Sequence, residues 1–384
     1  MKICIALSCA LALAACGSDD DDGIAGADAG LSPRDSGPLP FDATPETPTA
    51  TIVAVSGDYA GNGVLTTITV PEMEVTVNAV AGVAGGDPVL RVHGDRLVIL
   101  DRFGGDSVTV LNRDLSLVGQ VSTGAGSNPQ DSAIIGTTLY VAAFDATGVL
   151  AFDLEDLGAG IQATLDLASL DAVDGQPDCN SIIAVGERLY VSCQLLDRAT
   201  FAPRGNGKVA VLNTSNDSLE TVFDLTASNP IAQFVQTDSG DLIFSTAPGA
   251  IFGGSNDAGC VERISTGATP ALEGCLTSNV ELNAYPRQVL PHGDAIMFVN
   301  VEGFTAADIR EVSGGVVSTV SLPGLGTNIG NITECPTGHL VVDDNTTDAR
   351  GLRVYDESGA AVNATPLDVG WSEFFSPSNS TICW

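Results

Sequence analysis

The sequence predicts an all-β protein, a seven-bladed β-propeller that follows a signal segment and a linker. From residue 51 onward, apolar residues alternate or run in fours between Gly, Asn, Asp and Pro, which is typical of strands. A glycine turn followed by an apolar run recurs at intervals of about 40 to 56 residues, the size of a four-stranded blade. The residues left over at the two ends of this region fit one further blade.

The first residues are typical of a secretion signal. Lys2 precedes an apolar stretch at 3–15 that is too short to span a bilayer as a permanent helix. The stretch ends in Leu13, Ala14, Ala15 and Cys16, which resembles the lipobox of bacterial lipoproteins. Residues 1–15 are therefore predicted to be a lipoprotein signal peptide, and Cys16 is predicted to be lipidated. The alternative is an ordinary signal peptide with a chance cysteine.

Residues 16–50 are predicted to be the lipidated cysteine and a disordered acidic linker. The segment consists largely of Asp, Gly, Pro, Thr and Ala. Such a chain cannot bury enough apolar surface to offset the entropy lost on ordering. As a flexible coil it would span roughly 30 Å, so the propeller at 51–384 can stand clear of the membrane.

Six repeats and a remainder give the count of blades. The repeat turns lie at Gly94, Gly136, Gly186, Gly240, Gly293 and Gly338. The remainder supplies three strands at 52–55, 64–68 and 75–80, and one strand at 377–384. We expect this last strand to lie innermost in the first blade, because ring closure removes the open edges that promote aggregation. A β-sandwich is the main alternative, but it does not explain the regular repeat.

Residues 94–112 resemble the YVTN repeat. The segment reads GDRLVILDRFGGDSVTVLN. The resemblance implies a surface-layer-type β-propeller of bacteria or archaea. Similar propellers serve as extracytoplasmic binding or scaffold proteins, and neighbouring families include lactonases, so the resemblance specifies the fold and leaves the chemistry open.

The cysteines indicate an oxidising compartment, because six remain in the propeller once Cys4 and Cys9 leave with the signal and Cys16 is lipidated. Three disulfides are predicted, and they join Cys179 to Cys193, Cys260 to Cys275, and Cys335 to Cys383. The first two pairs flank turns, where opposed antiparallel residues lie within bonding distance. The third pair joins the innermost strands of the last and first blades.

The charge balance excludes some partners. The chain has 48 acidic and 15 basic residues, a formal net charge of −33, and lysine only at Lys2 and Lys208. Nucleic acid is not an expected partner, because phosphate binding needs clustered positive charge. Contact with the membrane is expected through the lipid anchor alone.

Catalytic motifs are absent from the sequence. His93, His292 and His339 fall in the turns between the first two strands of their blades, where they are expected to be exposed to solvent. The sequence has no His-Glu-x-x-His motif, no nucleophile elbow and no glycine-rich phosphate loop. No catalytic residue is therefore predicted, and the chain is expected to be a binding protein rather than an enzyme.

Polar residues before the innermost strands form a candidate ring around the channel mouth. They are Asp131, Asn180, Gln233, Gln288, Asn331 and Asn379. Carboxylate and amide oxygens that converge on one axis are suitable ligands for Ca²⁺, but such groups also bond to backbone or water. Calcium is the one cofactor considered, and a second, weaker calcium candidate is the acidic run Asp343, Asp344, Asn345 and Asp348.

Two long loops on the face of the channel mouth form a second candidate site. The wall is formed by Arg198, Phe201, Arg204 and Lys208 in blade 4 and by Phe252 in blade 5, and Arg102, Arg287 and Arg350 lie on the same face. Positive charge in so acidic a chain could attract an anionic ligand or an acidic protein. The alternative is that the arginines pair with Asp145, Asp197 and Asp257 and order the loops.

Together these features predict a lipid-anchored, monomeric binding or scaffold propeller of the bacterial cell envelope. The outer membrane is favoured, because Gly17 is not the aspartate that retains some lipoproteins in the inner membrane. The alternative is a metal-dependent hydrolase or lactonase at the mouth of the channel. That enzyme would need several ligands and a general base, and the ring offers a single carboxylate, Asp131.

Overall fold

The computed structural model describes residues 49–247, 258–282, 285–302, 306–348, 350–370 and 381–384. The predicted signal peptide, Cys16 and almost all of the linker lie outside these residues. The described residues form seven small antiparallel sheets, which are the blades of a β-propeller. The predicted fold class is therefore confirmed.

The first four blades are built from strands that follow one another along the chain, and blade 1 also includes a strand from the C-terminal end. Blade 1 contains β1 (Ala50–Gly57), β2 (Gly63–Val70) and β3 (Val75–Thr76). Blade 2 contains β4 (Pro88–His93), β5 (Arg96–Asp101), β6 (Ser107–Asn112) and β7 (Leu117–Ser122). Blade 3 contains β8 (Pro129–Ile135), β9 (Thr138–Ala143), β10 (Gly148–Asp153) and β11 (Ile161–Asp166). Blade 4 contains β12 (Cys179–Val185), β13 (Arg188–Cys193), β14 (Lys208–Asn213) and β15 (Ser218–Asp224).

The last three blades follow in chain order. Blade 5 contains β16 (Val235–Gln236), β17 (Leu242–Ser245), β18 (Cys260–Ser265) and β19 (Ala271–Ser278), and blade 6 contains β20 (Tyr285–His292), β21 (Ala295–Glu302), β22 (Ala306–Ser313) and β23 (Val316–Val320). Blade 7 contains β24 (Ile329–Glu334), β25 (Leu340–Asp344) and β26 (Gly351–Tyr355), and β27 (Thr381–Cys383) ends the chain. The short helices are Leu157–Ala159, Ala168–Leu170 and Asn279–Leu282. None of the helices in the described ranges could cross a membrane.

The C-terminal strand closes the ring as the sequence predicts. β27 pairs antiparallel with β1, and Ala54 lies opposite Thr381 while Ile52 lies opposite Cys383. Blade 1 therefore has the strand order β27-β1-β2-β3, with the last strand of the chain innermost. This pairing covers the edge that β1 would otherwise expose.

Blade 7 departs from the predicted four-stranded plan, because only three strands form among its described residues. A segment after β26 covers the outer edge instead, through isolated bridges from Leu352 to Leu367 and from Tyr355 to Ala361. Between these bridges the side chain of Asn363 replaces a strand: its Oδ1 accepts from Val354 N at 2.7 Å, and its Nδ2 donates to Leu352 O at 3.1 Å.

The apolar core lies between neighbouring blades. Alternating residues of each strand face one of the two adjacent sheets. Between blades 4 and 5, for example, the buried Tyr190 and Val211 belong to the same cluster as Phe234 and Phe244, whose rings meet edge to face at 4.9 Å. Each blade thus contributes to two core layers, one with each of its neighbours.

All three predicted disulfides form, between Cys179 and Cys193, Cys260 and Cys275, and Cys335 and Cys383. One detail differs, because Cys260 lies opposite Ser278 rather than Cys275. Two register shifts between β18 and β19 displace the pair diagonally, yet the Cα atoms of Cys260 and Cys275 remain 5.7 Å apart, within the usual range for a disulfide. Three such bonds fit an extracytoplasmic compartment.

Candidate functional site

Four innermost strands contain a β-bulge at the same depth, near the channel mouth. The register shifts in β8 between Pro129 and Asp131, in β12 between Cys179 and Ser181, in β20 between Pro286 and Gln288, and in β24 between Ile329 and Ile332. A bulge adds a residue to one strand and redirects the side chains beside it. It brings the equivalent residues Asp131, Ser181, Gln288 and Asn331 to the junctions between blades.

Asp131 joins blades 2, 3 and 4. Its Oδ1 accepts from Arg91 Nε of blade 2 at 2.5 Å and from Ser132 N at 2.9 Å. Its Oδ2 accepts from Ser181 Oγ and Ile182 N of blade 4, both at 2.9 Å. Four donors, one of them the guanidinium of Arg91, therefore surround a carboxylate that is only 3% exposed.

The polar contacts continue across and around the ring. Arg91 also reaches Gln233 before the inner strand of blade 5, once the amide of Gln233 is oriented so that its oxygen faces the guanidinium. Ser181 Oγ accepts from Phe234 N at 3.2 Å, which joins blade 4 to blade 5. Ser245 Oγ donates to Pro286 O at 2.6 Å, which joins blade 5 to blade 6.

The junctions of blade 7 use amide side chains. Gln288 of blade 6 pairs with the backbone of Ile332: its Nε2 donates to Ile332 O at 2.7 Å, and its Oε1 accepts from Ile332 N at 2.8 Å. Asn331 Nδ2 donates to Thr381 O of the C-terminal strand at 3.1 Å. Between blades 1 and 2, Tyr59 N donates to Gly86 O at 2.7 Å, and apolar side chains of both blades pack in one cluster.

The predicted ring is thus a set of fasteners between blades. Asp131, Gln233, Gln288 and Asn331 all bond to another blade, whereas Asn180 accepts from Ser192 Oγ at 3.1 Å within its own blade. Asn379 lies outside the described residues. Arg91, Ser181 and Thr381 belong to the ring but were not predicted. Ser181 could have been found in part from sequence, because it directly follows the predicted Asn180. Its equivalence to Asp131, however, becomes clear only from the register of the bulge.

Asp343 is a second buried aspartate of the inner ring. It lies on β25, opposite the bulge that contains Asn331, and it is fully buried. Its Oδ1 accepts from Thr381 Oγ1 at 2.8 Å, but Oδ2 has no hydrogen-bond partner among the described residues. Burial raises the pKa of the Asp343 carboxyl from 3.8 to about 8, and the Thr381 hydroxyl and the charge of Arg287 oppose this only in part.

The acidic run that the sequence suggested as a calcium loop does not act as one unit. Asp343 bonds to the C-terminal strand, whereas Asp344 Oδ2 forms an ion pair with Arg353 Nε at 2.7 Å. The two residues are adjacent on a strand, so their side chains point to opposite faces. Within the part of the chain that the structure describes, no three His, Cys, Asp or Glu side chains are grouped as metal ligands.

The histidines are less exposed than the sequence suggested. His93 Nε2 lies 2.9 Å from Ser132 Oγ of blade 3, and burial lowers its pKa to about 4. His292 Nδ1 lies 3.2 Å from Glu334 Oε2 of blade 7, and His339 Nδ1 lies 2.9 Å from Thr337 Oγ1. All three lie on the face opposite the channel mouth and serve as local contacts there.

On the mouth face, Arg198 and Arg204 of the predicted wall form ion pairs. Arg198 contacts Asp145 at 2.5 Å and the fully buried Asp178 at 2.9 Å, and its guanidinium lies 5.0 Å from the ring centre of Phe144. Burial raises the pKa of Asp178 to about 6, while the Leu196 backbone N–H and Arg198 lower it. Arg198 therefore anchors its loop to blade 3.

Arg204 anchors the other end of the same loop. It contacts Asp171 at 2.7 Å and Asp174 at 2.8 Å, in the connection from blade 3 to blade 4. Beside it lies a cleft of about 390 Å³ whose lining includes Leu170, Val173, Leu195, Arg204, Lys208 and Asp224. Phe201 lies in the same loop and is 41% exposed, whereas Phe252 lies outside the described residues.

The two cations of the cleft, Arg204 and Lys208, form ion pairs that differ in burial. The carboxylate of Asp171 that pairs with Arg204 is almost completely buried. Lys208 Nζ pairs with Asp224, whose side chain is 75% exposed. Such a solvated pair contributes little to stability, and another anion can easily replace Asp224 as the partner of Lys208.

The fold and the three disulfides define this chain as a disulfide-stabilised β-propeller. No protein-family model matches it, and the comparison with curated proteins finds no relative. Among solved structures it is similar to a putative 6-phosphogluconolactonase from Bacteroides fragilis, at 13% identity over 89% of this chain and 99% of that chain, with a TM-score of 0.55.

Two further structures have the same architecture. AztD from Citrobacter koseri is 13% identical over 84% of each chain, and virginiamycin B lyase from Staphylococcus aureus is 11% identical over 77% of this chain and 94% of that chain. Both TM-scores are 0.53. At these identities the likenesses show the propeller fold alone.

Proposed function

We propose that this chain is a lipid-anchored, extracytoplasmic binding or scaffold propeller of the bacterial cell envelope. The lipobox-like residues before Cys16, the three disulfides and the resemblance of residues 94–112 to the YVTN repeat support this assignment. The binding site is the cleft between blades 3 and 4, on the face of the channel mouth.

The observation that carries the proposal is the contrast between the ring and the cleft. The ring side chains that bond between blades would have to break those bonds before they could bind a ligand. The cleft offers Lys208, whose partner carboxylate is mostly in solvent, beside the apolar side chains of Leu170, Val173 and Leu195. A concave, partly apolar surface with a few polar groups is typical of small-molecule sites.

The expected ligand has an anionic group and an apolar part. Its carboxylate or phosphate would replace Asp224 on Lys208, and its apolar part would cover Leu170 and Val173. Arg204 would keep its ion pair with the buried Asp171 and shape the cleft. An acidic segment of a partner protein presents the same chemistry.

Titration calorimetry of residues 49–384 against phosphate, citrate and medium-chain fatty acids tests the cleft. We expect at least one of them to bind, and we expect Lys208→Ala to weaken that binding about tenfold or more. Arg263→Ala is the matched control, because its ion pair with Asp241 is also partly exposed but lies on the opposite face. Equal losses in both variants, or no loss in Lys208→Ala, would exclude the cleft.

Charge reversal at Arg198 and Arg204 would be a poor test of the cleft. Arg198 neutralises the buried Asp178, and Arg204 neutralises the buried Asp171. Reversal would leave buried carboxylates next to new like charges and would unfold the loop, so a loss of binding would not identify the contact surface.

The anchor is tested separately. Cys16→Ser should move the protein from the membrane fraction to the soluble fraction, and mass spectrometry of the wild type should find a lipid on Cys16. A variant that stays in the membrane fraction would contradict the anchor without affecting the cleft.

The alternative proposal is a metal-dependent hydrolase or lactonase at the channel mouth. It would use Asp131, Gln288 and Asn331 as ligands, and in this structure each of them bonds another blade. Metal analysis of the purified protein, followed by lactone hydrolysis assays with and without added Ca²⁺, distinguishes this proposal from binding alone.

A further inference from the structure

A buried carboxyl whose bonding is incomplete lies beside the C-terminal strand that closes the ring. Asp343 contacts the C-terminal strand through Thr381 Oγ1 at 2.8 Å, and its other oxygen lacks a donor in the described ranges. An ionised carboxylate in this position would carry a buried charge with a single hydrogen bond. Such a state is strongly unfavourable, and proteins avoid it by neutralising the group.

The neighbouring Asn331 has a complementary deficit. Its Nδ2 donates to Thr381 O, but its buried Oδ1 receives no hydrogen bond from the residues that the structure describes. Asn331 belongs to the bulge of β24 that lies opposite Asp343. Two buried oxygens without donors among the described residues, Asp343 Oδ2 and Asn331 Oδ1, therefore belong to the two sides of one bulge. The other polar atom of each side chain bonds to the same residue, Thr381.

We propose that Asp343 closes the ring as a neutral carboxylic acid, and that loss of its proton loosens the junction between blade 7 and the C-terminal strand. A proton on Asp343 turns its unpartnered oxygen, Oδ2, from an acceptor into a hydrogen-bond donor. The other group at this bulge without a partner in the described residues is also an acceptor, Asn331 Oδ1. The protein thereby contains a proton-dependent fastener beside the covalent one, the disulfide between Cys335 and Cys383.

The surrounding charges agree with a neutral acid. Asp344, the next residue on the same strand, is occupied by Arg353 at 2.7 Å. Arg287 of blade 6 is the cation that acts on Asp343 from a neighbouring element, and its effect is smaller than that of burial. Thr381 from the C-terminal strand and Asn331 from β24 do not titrate in this range.

The pH range of the effect follows from the raised pKa. Between about pH 4 and about pH 8 the unfolded chain releases this proton while the folded chain keeps it. The folded state then binds more protons, so this group makes the protein less stable as the pH rises through that range. Above about pH 8 both states are ionised, and the contribution stays constant.

The test compares melting temperatures of the full chain from about pH 4 to about pH 9 in the wild type and in Asp343→Asn. The asparagine keeps an oxygen for Thr381 and places an N–H where the acid has its proton. We expect the variant to melt about 2 to 6 °C above the wild type at pH 8 to 9, and to match it near pH 4.

Asp344→Asn is the matched control, because it removes a carboxylate that Arg353 needs. We expect it to melt below the wild type at pH 8 to 9, which shows that the gain in Asp343→Asn is specific to position 343. An Asp343→Asn variant that melts below the wild type at pH 8 to 9 would overturn the proposal, since the carboxylate would then act in its ionised form. Millimolar Ca²⁺ that stabilises the wild type but not this variant would also overturn it, in favour of a bound cation.

Discussion

Two junctions of the ring each contain one buried aspartate, and the two aspartates are bonded very differently. At the junction of blades 2, 3 and 4, Asp131 receives four hydrogen bonds, one of them from Arg91. At the junction of blade 7 and the C-terminal strand, Asp343 receives a bond from Thr381 alone among the described residues. The same residue type thus closes the ring either as a charged hub or as a neutral acid, and the number of donors decides which.

The comparison also explains where a ligand can bind. Polar groups that point toward the channel are the first candidates in a propeller, but in this chain they are used to hold the blades together. The exposed pair of Lys208 and Asp224 in the cleft lies within one blade and does not join blades. Function is therefore expected in the loops that surround the ring.

Removal of the cation from the charged hub should have the largest effect. Arg91→Met keeps much of the side-chain volume but leaves Asp131 charged, buried and without its counterion. We expect the free energy of unfolding to fall by about 3 to 5 kcal/mol in urea titrations. Arg263→Met is the control, because its ion pair with Asp241 is partly exposed and should contribute little. Similar losses in both variants would contradict the special role of the hub.

Removal of the disulfide between Cys335 and Cys383 should have the next largest effect on stability. The disulfide between Cys335 and Cys383 closes a loop of 48 residues, whereas that between Cys179 and Cys193 spans 14. Loop entropy predicts that double replacement with serine costs about 4 kcal/mol for the first pair and about 3 kcal/mol for the second. Calorimetric melting of the two variants measures the difference. A larger loss from the shorter loop would mean that ring closure does not depend on the C-terminal bond.

The cleft should show the smallest effect on stability. Lys208→Ala removes a pair whose partner is mostly solvated, and we expect the melting temperature to change by about 1 °C or less. This variant should therefore lose ligand binding without losing structure. A large drop in melting temperature would show that Lys208 is a structural residue like Arg198.

Most of the fold could be predicted from the sequence. The glycine turns give the number of blades, the apolar runs give the strands, and the leftover strands at both ends predict closure by the chain terminus. The disulfides follow from the same blade assignment. Blade 7 was the exception, because the side-chain bonds of Asn363 that replace a strand leave no periodic pattern.

The ring was predicted in position, and hydrogen bonding to the backbone was given as the alternative to calcium binding, but the junctions between blades were not predicted. A bulge shifts the register by one residue, and such a shift exchanges the two faces of a strand. Asn180 and Ser181 illustrate this, since the sequence favoured the first and the structure places the second at the junction. Thr381 and Arg91 were missed because their partners lie on other blades, and Asp343 was named only as part of an acidic run, not as a member of the ring.

The sequence allowed two interpretations of the arginines on the mouth face: ligand binding, or ion pairs that order the loops. The contacts favour ion pairs. Arg198 pairs with Asp145, as the alternative anticipated, and also with Asp178. Arg204 pairs with Asp171 and Asp174, which precede it by about 30 residues and belong to the preceding blade connection. Local sequence gives no sign of such pairs, because they depend on how adjacent blades pack.

The most direct test of the account measures the free energy of unfolding of Asp131→Asn and Asp343→Asn side by side at pH 8. The two variants make the same chemical change at two buried sites of one ring. We predict opposite signs: Asp131→Asn loses about 2 to 4 kcal/mol because Arg91 loses its counterion, and Asp343→Asn gains about 1 kcal/mol or more because the fold no longer has to hold a buried carboxyl against ionisation. Losses of similar size in both variants would contradict the claim that the two junctions hold their aspartates in different charge states.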